Sequence, residues 1–174
     1  MSSDPHRALL EAAREGDDVA LHRLVIETQQ AVHRLCSALG TPGATEDLVQ
    51  DTYLRAIQAA PAYRGDAPVL AWLLAIARRT CADDVRRRQR ARRLGERLSR
   101  ERIRSTVGAP GVPVDDLMEA LDPDRREALV LTQYVGLSYD DAAHVIGCPV
   151  GTVRSRVARA REDLLRQLRE AEAR

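Results

Sequence analysis

Residues 138–161 read SYDDAAHVIGCPVGTVRSRVARAR, and the reading of this stretch decides the architecture of its half of the chain. Ser138 can cap a helix, with Asp141 at the third helical position in a weak capping box. Gly147 and Pro149 mark a tight turn, and a second helix starts near Val150. Two short helices joined this way form a helix-turn-helix if four steric conditions are met. Small residues must sit where the first helix packs on the second, and Ala142 and Ala143 do. The turn needs a residue that tolerates a left-handed backbone, and Gly147 supplies it. Apolar residues must lock the second helix inward: Val153 and Val157 lie four apart, with Ile146 facing them. The outer face must carry polar donors, and Thr152, Arg154, Ser155, Arg156 and Arg159 do so. Arginine pairs bidentately with guanine in the major groove or with phosphate. The first turns of a recognition helix reach the bases. Arg154 and Ser155 are therefore candidate base readers, and Arg159 a candidate for base or phosphate. The competing reading is a helical hairpin with a solvated arginine face, which leaves the four matched conditions to coincidence.

Outward from this stretch the chain reads as helix almost throughout. Asp122 caps a helix that opens on Pro123, passes Ala128, Leu129, Leu131 and Val135, and ends at Gly136. A short helix spans Val114 to Leu121. Upstream, Ser105–Pro113 holds two Gly and two Pro in nine residues and is the clearest linker. A long helix starts at Pro68 and runs past Arg88 on a stripe of Val69, Trp72, Leu73, Ile76, Thr80 and Val85. Before it, Thr45 can cap a helix that stops at Pro61, with Glu46 and Asp47 in its first turn, where the helix dipole favours acids. Asp18 to Leu39 keeps helical spacing through Leu21, Leu24, Val25, Ala31, Val32 and Leu35. An aromatic content of 3% with no Phe leaves an aliphatic core, which favours packed helices over a sandwich of strands. The fold class expected is all-α.

All 27 basic residues are Arg, and Lys, Asn and Phe are absent, which suggests a GC-rich genome. Arginine placement therefore carries more weight than arginine number. Arg86–Arg104 holds ten Arg against two Glu, although the net charge of the chain is only +1. Segregated positive charge is the footprint of a nucleic-acid binder. Cys36, Cys81 and Cys148 are far apart and form no CxxC. The four histidines, His6, His22, His33 and His144, are scattered, and there is no phosphate loop, HExxH or nucleophile elbow. Neither catalysis nor a cofactor nor a metal is expected. The longest apolar run, Val69 to Ala77, is shorter than the ~20 residues of a membrane span, and no leader is read, so a cytoplasmic protein is expected.

Three runs carry a family resemblance. LSYDDAA (137–143), GCPVGTVRSR (147–156) and ARAR (158–161) resemble the fourth conserved region of extracytoplasmic-function sigma factors. That resemblance implies that the second helix reads the −35 promoter element. The family often has a bulky residue at the place of Ala158. DLVQDTYLRA (47–56) resembles the helix that docks on the clamp coiled coil of RNA polymerase, which implies Asp47, Leu48, Gln50, Asp51 and Leu54 as polymerase contacts. As an amphipathic helix it would turn Leu48, Thr52 and Ala56 inward. YRGD (63–66), AWL (71–73) and IAR (76–78) resemble the −10 recognition segment, which implies Arg64, Trp72, Arg78, Arg79 and Arg86 as DNA contacts. Trp72, the single Trp, reads better as a core anchor than as a stacking platform. Arg79 stands where the family usually has Asn, and Val69 where an aromatic is frequent, which implies an altered −10 preference.

The resemblance also implies two small domains, 8–93 and 114–172, joined by a flexible linker over 94–113. It implies core RNA polymerase (clamp and flap) and promoter DNA as partners, and an anti-sigma factor as a further one. The alternative is a stand-alone helix-turn-helix regulator. That reading calls for a ligand or phosphoacceptor domain in the first half, which shows neither alternating strands nor an acidic phosphorylation pocket.

Overall fold

The computed structural model describes residues 4–98 and 114–172. They form eight α-helices: α1 (Arg7–Arg14), α2 (Asp18–Leu39), α3 (Thr45–Ala59), α4 (Val69–Leu98), α5 (Val114–Glu119), α6 (Pro123–Leu129), α7 (Tyr139–Ile146) and α8 (Val150–Glu172). A 3-10 turn, Ala60–Ala62, follows α3, and a π-helical turn, Val130–Tyr134, follows α6. The described residues contain no strand, and the fold is all-α.

The first unit is built on α2, α3 and α4, which pack pairwise, with α1 laid on α2. Val32, Leu35, Leu48, Leu74 and Ala77 fill its centre. Thr28, Thr52 and Thr80 are buried among them. Each hydroxyl donates to the carbonyl one helical turn back: to Leu24 at 2.7 Å, Leu48 at 2.6 Å and Ile76 at 3.1 Å. The polar groups are thereby satisfied inside their own helices. Helix α1 has no counterpart in the periodicity reading. The backbone N–H of Val69, at the start of α4, donates to the Asp4 carboxylate at 2.7 Å, a cap from 65 residues away.

Thr45 does not cap α3. The N-cap is Ala44, with Thr45 already helical. The turn before it closes by a bond from the Ala44 N–H to the Thr41 carbonyl, and the Thr41 hydroxyl is committed to Asp84 at 2.6 Å. Asp84 is buried, and it also accepts from Arg87 and Arg88. Burial pushes its carboxyl up, but the Thr41 hydroxyl and the two guanidinium groups outweigh this and hold it below the usual carboxylate range. A carboxyl lowered on folding contributes stability above its unfolded pKa of ~3.9, which is lost as pH falls through the lower native value. Asp84→Asn should therefore flatten the acid limb of a urea-denaturation series from pH 7 to pH 3. A limb as steep as that of the unsubstituted protein would count against Asp84 as its source.

The second unit is α5 to α8. Asp122 caps α6 through the N–H groups of Asp124 and Arg125. The helix then loosens into the π turn rather than continuing as α-helix to Val135. Its end is closed by the Val135 and Leu137 N–H groups, which donate to the carbonyls of Val130 at 2.9 Å and Leu131 at 3.0 Å. Gly136, at φ +91°, ends it as expected. Asp163, buried on α8, accepts from Arg125 at 2.5 Å and Arg166 at 2.6 Å and ties α6 to α8.

The two units pack together. Helix α7 lies against α4, and the π turn against α2. Arg78 of α4 forms a two-bonded ion pair with Glu127 of α6. Arg126 donates to the Ala38 carbonyl in the last turn of α2. One contiguous apolar cluster contains residues of both units. Residues 94–98 of the expected linker belong to α4, and 99–113 lie outside the described residues.

Candidate nucleic-acid interface

The helix-turn-helix is built as its residues require. The Ser138 hydroxyl accepts the Asp141 N–H at 3.0 Å and donates to the Asp141 carboxylate at 2.7 Å. Gly147 ends α7 in the left-handed region, at φ +80°. Ala142, Val153, Val157 and Ala160 are fully or almost fully buried where α7 and α8 meet the core. That leaves Arg154, Ser155, Ala158 and Arg159 on the exposed face of α8, with Thr152 half-buried beside them.

The five candidates on this helix are not equivalent. Arg156 is tied down: its guanidinium pairs with Asp124 on α6 and reaches Cys148 Sγ at 3.8 Å. It braces α8 against α6. The Ser155 hydroxyl donates back to the Thr152 carbonyl at 2.9 Å. Arg154 and Arg159 have no acidic partner among the described residues. Arg154 instead rests 5.9 Å from the centroid of the Tyr139 ring, within cation–π range. Tyr139 opens α7, and composition and spacing gave no sign of this role.

A second cationic surface lies on the first unit. The loop before α4 turns at Gly65, at φ +81°, and the Tyr63 hydroxyl donates across it to the Ala67 carbonyl at 2.6 Å. The Tyr63 ring packs on Trp72, centroids 5.1 Å apart and planes tilted by 54°. Trp72 is half-buried, packed on one side against the core that Leu10, Leu24 and Val69 form. Arg64 and Arg79 are exposed and have no ion-pair partner among the described residues. Arg78 is held by Glu127, whose hydrogen bonds raise its pKa further. Arg86 is held by Asp83 at 2.8 Å, and Asp83 also accepts from Arg55 at 3.0 Å. These guanidinium partners, Arg55 first, lower the pKa of Asp83.

On α3, Asp47, Gln50 and Leu54 are exposed, and the half-buried Asp51 pairs with Arg55 at 3.0 Å. Leu48 is buried beneath Gly40, so it holds the helix in place and offers no surface of its own. Ile57 is exposed one turn beyond Leu54 and extends the apolar part of the face. Its i+3 spacing from Leu54 was the available signal. Among the described residues no three His, Cys, Asp or Glu side chains gather where a metal could bind. No helix there is long and apolar enough to cross a membrane.

Two family models match this chain: sigma-70 region 2 over residues 24–91, and sigma-70 region 4 over residues 112–164. Among curated proteins, it is 45% identical over 163 residues to the ECF RNA polymerase sigma factor SigC of Mycobacterium tuberculosis (strain CDC 1551 / Oshkosh), covering 91% of this chain and 88% of that protein. It is 32% identical over 173 residues to the ECF RNA polymerase sigma-E factor of Escherichia coli (strain K12), covering 90% of each. Among solved structures it resembles CnrH in complex with the cytosolic domain of CnrY, with a TM-score of 0.76 and 31% identity over 95% of this chain and 97% of that one. It also resembles the sigma factor RpoE of Bartonella quintana in complex with the anti-sigma factor NepR, with a TM-score of 0.70 and 29% identity over 85% and 96%.

Proposed function

The chain belongs to the extracytoplasmic-function group of the sigma-70 family, and from that premise we propose how its residues join core RNA polymerase and direct it to promoters. The exposed face of α8 reads the −35 element from the major groove. The loop around Arg64 and the outer face of α4 hold the −10 element. Asp47, Gln50, Asp51, Leu54 and Ile57 on α3 meet the polymerase clamp. The second unit meets the flap. An anti-sigma factor is the natural inhibitor. The polymerase supplies the chemistry, and the protein acts in the cytoplasm with it.

One observation carries the assignment of residues. Of the seven arginines proposed from the sequence to touch DNA, Arg78, Arg86 and Arg156 are neutralised by carboxylates inside the fold. Arg64, Arg79, Arg154 and Arg159 have no carboxylate partner among the described residues, and they fall two on each unit. Uncompensated guanidinium groups on a surface attract phosphate and base edges, whereas paired ones would first have to break an ion pair. Arg78 is freed only when the two units part.

The test is run-off transcription with purified core polymerase on a cognate promoter, together with a salt series of holoenzyme binding. Arg64→Ala and Arg79→Ala should each weaken promoter binding and shallow the slope of log K against log salt by about one per lost phosphate contact. Unchanged slopes in both variants would remove these residues from the DNA surface. Equal promoter selectivity without polymerase would instead favour the stand-alone regulator.

A further inference from the structure

We propose that α1 and the residues just before it form a brace for the loop that precedes α4, holding that loop at its entry, its tip and its exit. The match to sigma-70 region 2 begins at residue 24, so α1 lies outside it. At the entry, the Arg14 guanidinium donates to the Pro61 carbonyl at 3.2 Å. At the tip, the Arg7 guanidinium lies over Gly65, where a β-carbon would stand 2.9 Å from Arg7 Nη2 and 3.2 Å from Cζ. Gly65 is therefore needed for room as well as for its φ of +81°. Glu11, one turn along α1, accepts from Arg7 Nε at 3.1 Å and aims the side chain. At the exit, the Asp4 carboxylate accepts the Val69 N–H at 2.7 Å. Beneath these contacts, the buried Leu10 of α1 packs in one small cluster with Ala60 and Val69, which flank the loop, and with Leu24 of α2.

The loop does not supply these restraints from its own sequence. Ala67 and Pro68, immediately before α4, have no side-chain acceptor with which to cap it. The first N–H of the helix goes to Asp4 and not to the nearby Asp66. The Asp4 carboxylate is itself fixed, because its other oxygen accepts the His6 N–H at 3.1 Å. It also meets the positive end of the α4 dipole. Burial, and next the Asp4 charge, push the pKa of the Tyr63 hydroxyl up, so that group keeps the proton it donates to the Ala67 carbonyl. Arg64 stands within the loop and Trp72 in the first turn of α4, so both take their places from what the brace holds. Asp4, Arg7 and Arg14 are thus positioning residues. Their part in promoter selection rests on the −10 reading proposed above, whereas their hold on the loop does not.

Two measurements test the brace. Hydrogen exchange of the Val69 amide in the full-length protein should be about fivefold faster in Asp4→Ala, the usual size of a lost cap. It should return toward the original rate in Asp4→Asn, whose amide oxygen can still accept. Run-off transcription with core polymerase then compares the cognate promoter with single substitutions in its −10 and in its −35 element. Asp4→Ala and Arg7→Ala should each lower the −10 ratios about fivefold and leave the −35 ratios unchanged. Asp4→Asn should restore most of the −10 selection. Asp122→Ala removes a cap of the same kind from α6 and isolates the effect of stability: it should lower the thermal midpoint as Asp4→Ala does, with the −10 ratios intact. Val69 exchange that Asp4→Ala leaves unchanged overturns the proposal. So does an equal loss of −10 and −35 selection, or the same −10 loss in Asp122→Ala. Faster exchange with −10 ratios intact in Asp4→Ala, but altered in Arg79→Ala, overturns the role in promoter selection. The −10 reading fails separately, if Arg64→Ala and Arg79→Ala leave the −10 ratios intact; faster Val69 exchange in Asp4→Ala would still establish the hold on the loop.

Discussion

Leu131→Ala is expected to destabilise the protein by about 2–5 kcal/mol, the usual range for truncating a buried leucine. Leu131 is fully buried in the π turn, and its side chain belongs to the cluster shared by both units. Its carbonyl also accepts the Leu137 N–H that closes the turn, so the backbone there has little freedom to collapse into the space left by the side chain. The loss should therefore fall toward the upper half of the range. Thermal denaturation followed by far-UV circular dichroism should show a midpoint lowered by roughly 4–20 °C for a chain of this size. Leu165→Ala is the control: that side chain is 54% exposed on α8, and its removal should move the midpoint little. Equal shifts in the two variants would mean that the π turn is not part of the core. Because the cluster is continuous, Leu131→Ala should also loosen the contact of α7 with α4. Glu127 would then release Arg78 more readily.

The features legible in the sequence are those set by near neighbours. Asp122, Ser138, Gly136 and Gly147 each act on groups within a few residues, and each does what local chemistry predicts. Val153 and Val157 are read from spacing alone, because a helix fixes which residues share a face. Thr45 failed as a cap through competition a few residues away, where Thr41 and Ala44 closed a turn that placed Thr45 inside the helix. The π turn left no periodic trace: Leu131 and Val135 sit four apart, as they would in an α-helix. Asp4 capping α4 could not be read either, since its partner lies 65 residues on.

The candidate site shows the same limit more sharply. A chain whose basic residues are all Arg gives no compositional hint of which ones are structural. Arg86 was separable in principle, because Asp83 lies one turn behind it on the same helix. Arg78 and Arg156 were not, because their partners Glu127 and Asp124 are 49 and 32 residues away. Tertiary pairing sorts the arginines, and it divides the recognition helix into a braced side and a free side. Leu48 shows the converse case. The family pattern implied it as a polymerase contact, while its helical spacing with Thr52 and Ala56 placed it inside, and the spacing describes its position correctly.

Arg154→Ala is expected to relax selection at one −35 base pair by about 1–3 kcal/mol, or roughly 5- to 150-fold. The side chain stands in the second turn of α8, exposed, with no acidic partner among the described residues. Tyr139 lies against its guanidinium and limits the orientations the long side chain would otherwise sample. A planar donor fork held in this way suits the two acceptors on the major-groove edge of guanine, and Arg154→Lys should restore only part of the selection because an ammonium cannot make both bonds in one plane. The measurement is run-off transcription on promoters that differ from the cognate one by single −35 substitutions, comparing ratios rather than absolute yields. Arg156→Ala is the informative contrast. It removes the brace to Asp124, so it should lower the melting temperature and weaken binding to all promoters alike. Two residues along a helix is a rotation of about 200°. If Arg156→Ala alone changed the ratios and Arg154→Ala did not, the reading face would have to be the one now packed toward α6, and the second unit would have to rearrange before binding DNA.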